Sequence, residues 1–176
     1  GLPSSVENID YTQRQILNIE GKRRIAFDED LLFTHRGLSG PAALQISSYW
    51  EPGNSLTINL LPQLALAEEL MAAKPHARKS LANVLAAWLP SRLANTWVAQ
   101  NPAWQRALAD TADKTLLALA DAVQRWAVSP AGTEGYAKAE VTAGGVDTRD
   151  LSQQTMESRH PGLYFIGEVV DITGWL

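Results

Sequence analysis

Four glycine-bearing stretches of this sequence carry the residue types from which a binding or catalytic site is built. The first is Leu32-Phe33-Thr34-His35-Arg36-Gly37-Leu38-Ser39-Gly40-Pro41. Its two glycines around Ser39 let backbone come close to a ligand, and the helix expected after it would aim free N–H groups there. A nucleophile elbow requires G-x-S-x-G, and here the last position is Pro41, so the hydrolase reading fails. The second, Glu140-Val141-Thr142-Ala143-Gly144-Gly145-Val146, ends a strand pattern in a glycine pair, a sign of a bulge or of close approach by a flat ligand. The third runs from Gly162 through Leu163-Tyr164-Phe165-Ile166-Gly167-Glu168-Val169-Val170-Asp171 to Gly174. It reads as a short buried strand ending in glycine plus carboxylate, the device by which dinucleotide folds approach a nucleotide and bind its sugar hydroxyls. The fourth, Gly132-Thr133-Glu134-Gly135-Tyr136, reads as a return loop.

Histidine and cysteine chemistry narrows the choice. His35, His76 and His160 lack ligand spacing, so no metal site is expected. His160 before Pro161 and His76 at a helix start read as surface residues. His35 lies beside the first glycine loop and is a candidate general acid, and Ser39 is a second catalytic candidate. The absence of cysteine excludes disulfides, thiol catalysis, thiolate-ligated zinc and iron–sulfur clusters.

The elements that would position these residues change character twice. Residues 1–62 are β-rich. Leu17 and Ile19 alternate with polar neighbours, as do Ile25 and Phe27, across a Glu20-Gly21-Lys22 turn. Asp28-Glu29-Asp30 reads as a solvated turn and Lys22-Arg23-Arg24 as a solvated hairpin tip. Pro41–Tyr49 is expected as a short helix with proline at its first position, and Leu56, Ile58 and Leu60 as a second strand after Pro52-Gly53-Asn54. Residues 63–130 are expected as a helical subdomain, with stripes Leu81, Val84, Leu85, Trp88, Leu89 and Leu116, Leu119, Ala120, Val123, Trp126. Asn101-Pro102 and Asp110 or Thr111 are expected caps. The helical pattern stops at Ser129-Pro130-Ala131-Gly132; Ala139–Val146 and Leu163–Ile166 follow as expected strands. The order β, α, β gives an α+β fold in which a helical unit interrupts a β-domain.

Composition sets outer bounds. The chain has 176 residues, 45% hydrophobic and 19% charged, with a formal net charge of -4. This is a globular composition. Its acidic balance argues against nucleic acid as a partner. No apolar run approaches the ~20 residues that span a bilayer, no signal peptide is visible, and a cytoplasmic location is expected. Both ends read as cut: the chain opens Gly1-Leu2-Pro3 without methionine and stops at Gly174-Trp175-Leu176 after a strand pattern.

Taken together, Leu32–Pro41 with Leu44-Gln45-Ile46-Ser47, the Thr142–Val146 segment and Gly162–Leu176 resemble the YhiN-like (BaiN-like) family of bacterial NAD(P)/FAD-dependent oxidoreductases. The resemblance implies a small translation-factor-like β-barrel interrupted by a helical bundle and inserted between the two halves of an FAD-binding fold. On that pattern, residues 1–62 and 131–160 are the two barrel parts and residues 161–176 a stub of the returning FAD-binding segment. No G-x-G-x-x-G is present, so the flavin segments before and after this chain are its implied partners. The resemblance further implies that Gly167 approaches FAD and that Glu168 accepts hydrogen bonds from its ribityl or ribose hydroxyls. Asp171, Thr173 and Gly174 would line the next turn. Gly144 and Gly145, with His35 and Ser39, would lie toward the isoalloxazine or the substrate. NAD(P)H would be the electron donor and a small organic molecule the acceptor, with this piece inactive alone. Two other readings stand beside it: a macromolecule-binding barrel, and a structural insert that mediates homodimerisation through Trp50 or Trp175.

Overall fold

The computed structural model describes residues 9–19, 25–140 and 143–172, and it divides into two compact units, 1–130 and 131–176. In the first unit β1 (Ile9–Ile19) and β2 (Ile25–Phe33) pair antiparallel, with Leu17 opposite Phe27 and Ile19 opposite Ile25. The hairpin expected from the alternation is therefore formed; its Glu20–Lys22 turn and the basic run Lys22–Arg24 lie outside the described residues. The register shifts between Tyr11 and Arg14, an irregularity of the bulge kind that adds twist. Asp28-Glu29-Asp30 is not a turn. Phe27 and Leu31 on either side are buried, so the strand runs on through the acidic residues, which are half-buried.

Next come β3 (Leu38–Ser39), α1 (Pro41–Ser47) and β4 (Leu56–Asn59). Helix α1 begins where expected because Gly40, at φ +86°, turns the chain into it and Pro41 occupies its first position. A Cβ on Gly40 would stand 3.0 Å from the Asp30 carbonyl oxygen and from the Leu32 nitrogen. The glycine thus serves close packing of chain on chain.

The helical part contains α2 (Leu66–Ala73), α3 (Leu81–Leu85), α4 (Ser91–Ala99) and α5 (Asp113–Gln124), with 3-10 turns at Pro102–Trp104 and Leu108–Asp110. The expected stripes are buried at Leu81, Leu85, Leu89, Leu116, Leu119, Ala120 and Val123. Asn101 caps as expected, its side-chain oxygen accepting from the Ala103 N–H at 3.0 Å. Two expectations are corrected. Asp110 and Thr111 do not cap α5: Ala112 holds that position, and the Thr111 hydroxyl donates backward to the Ala107 carbonyl at 2.9 Å. Trp126 is not on the helix, which ends at Gln124; it opens β5 (Trp126–Val128).

Strand β5 pairs with β4, giving one antiparallel sheet of order β3-β2-β1-β4-β5. Among the described residues this sheet is open, so the expected closed barrel is not formed by them, while the α+β class is. One apolar core joins sheet and helices, running from Phe27, Leu31 and Phe33 through Ile58 and Leu60 to Leu116 and Val123. Trp126 links the two parts, stacked on Phe33 (centroids 6.0 Å apart) and edge-on to Trp97 (5.2 Å). Gln124 reinforces the join, its side-chain amide donating to the Leu61 and Leu64 carbonyls at 2.9 and 2.6 Å. Trp50 packs against the same core and donates from Nε1 to the Asn54 carbonyl at 2.8 Å. It is not the exposed docking residue expected, and Trp175 lies outside the described residues.

The second unit contains 3-10 turns at Thr148–Asp150 and Gly167–Val169 and isolated bridges at Val146–Val170, Leu151–Ser158 and Glu157–Tyr164. Neither Ala139–Val146 nor Leu163–Ile166 forms a strand among the described residues, and Val141 and Thr142 fall outside them. Leu163, Tyr164 and Ile166, expected to be buried, are 45%, 56% and 75% exposed.

Candidate functional site

In the second unit the two glycine stretches singled out by sequence meet. Val146 and Val170 form a parallel bridge: the Val146 N–H donates to the Val169 carbonyl at 2.8 Å, and the Asp171 N–H donates to the Val146 carbonyl at 2.9 Å. The Asp171 carboxylate accepts from the Gly144 N–H at 3.2 Å, tying both ends of the pairing. Gly144, Gly145, Gly167 and Asp171 are thereby drawn into one cluster, although 22 positions separate Gly145 from Gly167.

The three glycines have different reasons to be glycine. A Cβ on Gly145 would stand 2.5 Å from the Val169 carbonyl oxygen, so this residue is required by the chain itself. Gly144 at φ +92° and Gly167 at φ +76° hold backbone conformations that side chains disfavour, yet nothing lies within 4 Å of either Cβ position. These two leave bare backbone facing open space. Glu168, in the 3-10 turn after Gly167, is exposed. Thr173 and Gly174 lie outside the described residues.

The electrostatics of this unit centre on Asp147. Its carboxylate accepts from the Arg149 backbone N–H at 2.9 Å, from Nε at 3.0 Å and from Nη2 at 2.5 Å. The Arg149 side-chain hydrogen bonds, then its backbone hydrogen bond, pull the Asp147 pKa down from 3.8 to about 2. The same hydrogen bond raises the Arg149 pKa. Arg159 pairs with Asp150 at 2.7 Å. These pairs fasten the 3-10 turn of residues 148–150 that follows the glycine pair.

The other expected site residues lie in the first unit. The Thr34 hydroxyl donates to the Gly37 carbonyl at 3.0 Å and accepts from the Arg36 and Gly37 N–H groups, both at 3.2 Å. It closes a tight turn with His35 and Arg36 exposed at the tip, while Ser39 pairs with Leu32 in the β2–β3 ladder. His35 thus sits at the tip of a small hairpin and Ser39 in its ladder. His76 follows α2 and does not start a helix; it and His160 are exposed. Among the described residues no cluster of three metal-ligating side chains exists, and no helix is long and apolar enough to cross a membrane.

Sequence reasoning missed a basic edge. Ser80 bridges Ala107, and the Leu108 N–H donates to the Lys79 carbonyl at 2.9 Å, as does the Leu81 N–H to the Arg106 carbonyl at 3.1 Å. This brings Arg106 beside Arg78 and Lys79, all exposed. A signal was available: between Glu69 and Asp110 the chain carries five Lys or Arg and no carboxylate.

Comparison with known proteins shows the family. The chain is 51% identical over 160 residues to a ribosomal RNA dihydrouridine synthase of Escherichia coli (strain K12), covering 90% of this chain and 40% of that protein. The protein of the same name from Haemophilus influenzae is 48% identical over 153 residues, covering 86% and 38%. A 3-dehydro-bile acid delta(4,6)-reductase of Clostridium scindens is 27% identical over 187 residues, covering 93% and 43%. The chain therefore spans about two fifths of the length of these relatives. Residues 8–141 match the HI0933-like protein barrel and H2TH domain, and the chain belongs to the HI0933-like family.

Proposed function

We propose that this chain is the insert, with the beginning of the returning flavin segment, of an FAD-dependent reductase that forms dihydrouridine in ribosomal RNA. The observation that carries this reading is the 51% identity to the Escherichia coli protein of that name. The expectation against nucleic acid rested on the net charge of -4, a whole-chain average that a local basic region can override. An enzyme acting on ribosomal RNA would work in the cytoplasm.

Gly144 and Gly167 fit a flavin because each presents backbone with open space where a side chain would stand. Bound FAD would supply the hydride, replenished from NAD(P)H, for saturating the C5–C6 double bond of uracil. Within this chain, Gly167 would lie against the cofactor and Glu168 would accept hydrogen bonds from its sugar or ribityl hydroxyls. Asp171 holds the Gly144 N–H and so keeps the two glycine segments in register. Thr173 and Gly174 would continue that wall. In the first unit His35, exposed at the tip of the Thr34 turn, is the candidate proton donor. Leu163, Tyr164, Ile166, Val169 and Ile172 are exposed, and such apolar side chains would suit packing against the remaining flavin segments.

A small organic substrate is the second reading, favoured by the 27% identity to the bile-acid reductase. The two are separated by supplying full-length reduced protein with ribosomal RNA that lacks the modification and digesting the product for mass spectrometry. Dihydrouridine formation is expected; flavin reoxidised only by small enones, with no dihydrouridine, contradicts the RNA reading. Glu168→Ala in the full-length protein should lower FAD retention, and undiminished retention removes that assignment.

A further inference from the structure

The strongest feature outside the glycine cluster is the charge distribution of the helical part. Residues 70–109 carry Lys74, Arg78, Lys79, Arg92 and Arg106 and neither aspartate nor glutamate. Since the whole chain is at -4, the other 136 residues sum to -9. Such segregation is not needed for folding: α3 and α4 are held by Leu81, Leu85, Leu93 and Trp97 in the apolar core.

The cations are also gathered. The Ser80–Ala107 bridge, with the Ala109 N–H donating to the Ala77 carbonyl at 3.3 Å, fastens the α2–α3 connection to the segment before α5. Arg78, Lys79 and Arg106 line this fastened edge, and all three are exposed without an ion pair among the described residues. Lys74, by contrast, is committed to Asp113 at 2.5 Å. The same edge carries exposed Asn83 and the hydroxyl of Ser80, neutral donors that suit phosphate oxygens and sugars.

We infer that the Arg78–Lys79–Arg106 edge docks the phosphate backbone of the RNA substrate, holding a structured segment while a base is presented elsewhere. This inference rests on the RNA reading above. Backbone docking carries no sequence information; it supplies affinity, register and a steep salt dependence.

The test uses the full-length protein, a ribosomal RNA fragment and fluorescence anisotropy across a salt series. The triple variant Arg78→Gln/Lys79→Gln/Arg106→Gln should lower the slope of log affinity against log salt by about 2–3. It should also weaken binding at least about tenfold at moderate salt. FAD content and flavin reduction by NAD(P)H should not change. The charge-conserving variant Arg78→Lys/Lys79→Arg/Arg106→Lys should retain the wild-type slope, which separates lost charge from a damaged fold. A neutralised variant that binds RNA with the wild-type slope overturns the docking edge while leaving the RNA reading intact. Wild-type protein that neither binds the RNA nor forms dihydrouridine overturns both.

Discussion

Residues 25–130 and residues 143–172 are organised by different forces. The first region buries a continuous set of large side chains, with Leu31, Phe33, Ile58, Leu70, Leu116 and Val123 fully enclosed. In the second, Leu151 and Val170 are the buried apolar residues, and backbone bridges, glycine turns and the Asp147–Arg149 pair give it shape. Of the eight large apolar residues exposed among the described residues, five (Leu163, Tyr164, Ile166, Val169 and Ile172) belong to the second region. A segment that shows this much apolar surface has not satisfied its own hydrophobic demand, and that demand points to a partner surface. The contrast teaches that the region bearing the candidate cofactor residues is the one least able to hold itself.

That contrast is open to direct attack. The largest effect is expected from Leu116→Ala, which removes a fully buried side chain and should cost about 3–5 kcal/mol in chemical denaturation of the 176-residue chain. Val170→Ala in the second unit should leave the main unfolding transition within about 0.5 kcal/mol of wild type. An equal loss from both would mean that the two regions share one cooperative core. Next in size is Gly145→Ala, whose methyl would be driven to 2.5 Å from the Val169 oxygen. A local cost on the order of 2–3 kcal/mol should speed amide exchange at Val146 and Asp171 by about thirtyfold or more. Gly167→Ala meets no atom and should cost only the conformational strain of its positive φ, about 1–2 kcal/mol. If the two glycine variants behave alike, the distinction between chain-packing and ligand-facing glycine is wrong.

The smallest effect concerns acid. Because the Asp147 pKa is lowered to about 2 from 3.8, its contribution is present above the unfolded value and is lost as pH falls through about 2. The group is exposed, so the change should be slight and local. A carboxyl-carbon NMR titration should place the Asp147 midpoint near 2 in wild type and return it toward the ordinary aspartate range in Arg149→Gln.

Much of the first region was legible because period-2 and period-3.6 patterns report burial directly. The β1–β2 hairpin, the strand at Leu56–Asn59 and the stripe Leu116–Val123 all follow from it. The failures have physical causes. Asp28–Asp30 looked like a turn because composition outweighed the flanking Phe27 and Leu31. Trp126 continued the helical spacing by chance, and its pairing with Ile58 lies 68 positions away, beyond any local signal. Leu163–Ile166 has the apolar content of a buried strand, but Leu163, Tyr164 and Ile166 stay exposed because apolar content states a demand without supplying the surface that meets it. In the candidate site, the glycines were visible individually, whereas their meeting through the Val146–Val170 bridge was not. The Arg78–Lys79–Arg106 edge was hidden for the same reason, since Arg106 is 27 positions from Lys79.

The proposed function requires that residues 143–172 acquire their order from flavin-binding segments outside this chain. Amide hydrogen exchange, compared between the 176-residue chain and full-length FAD-loaded protein, tests it most directly. Protection at Leu163–Ile172 should rise at least about tenfold in the full-length protein, while the buried strands β2 and β4 exchange equally in both. Equal protection of Leu163–Ile172 in the two proteins would contradict the account.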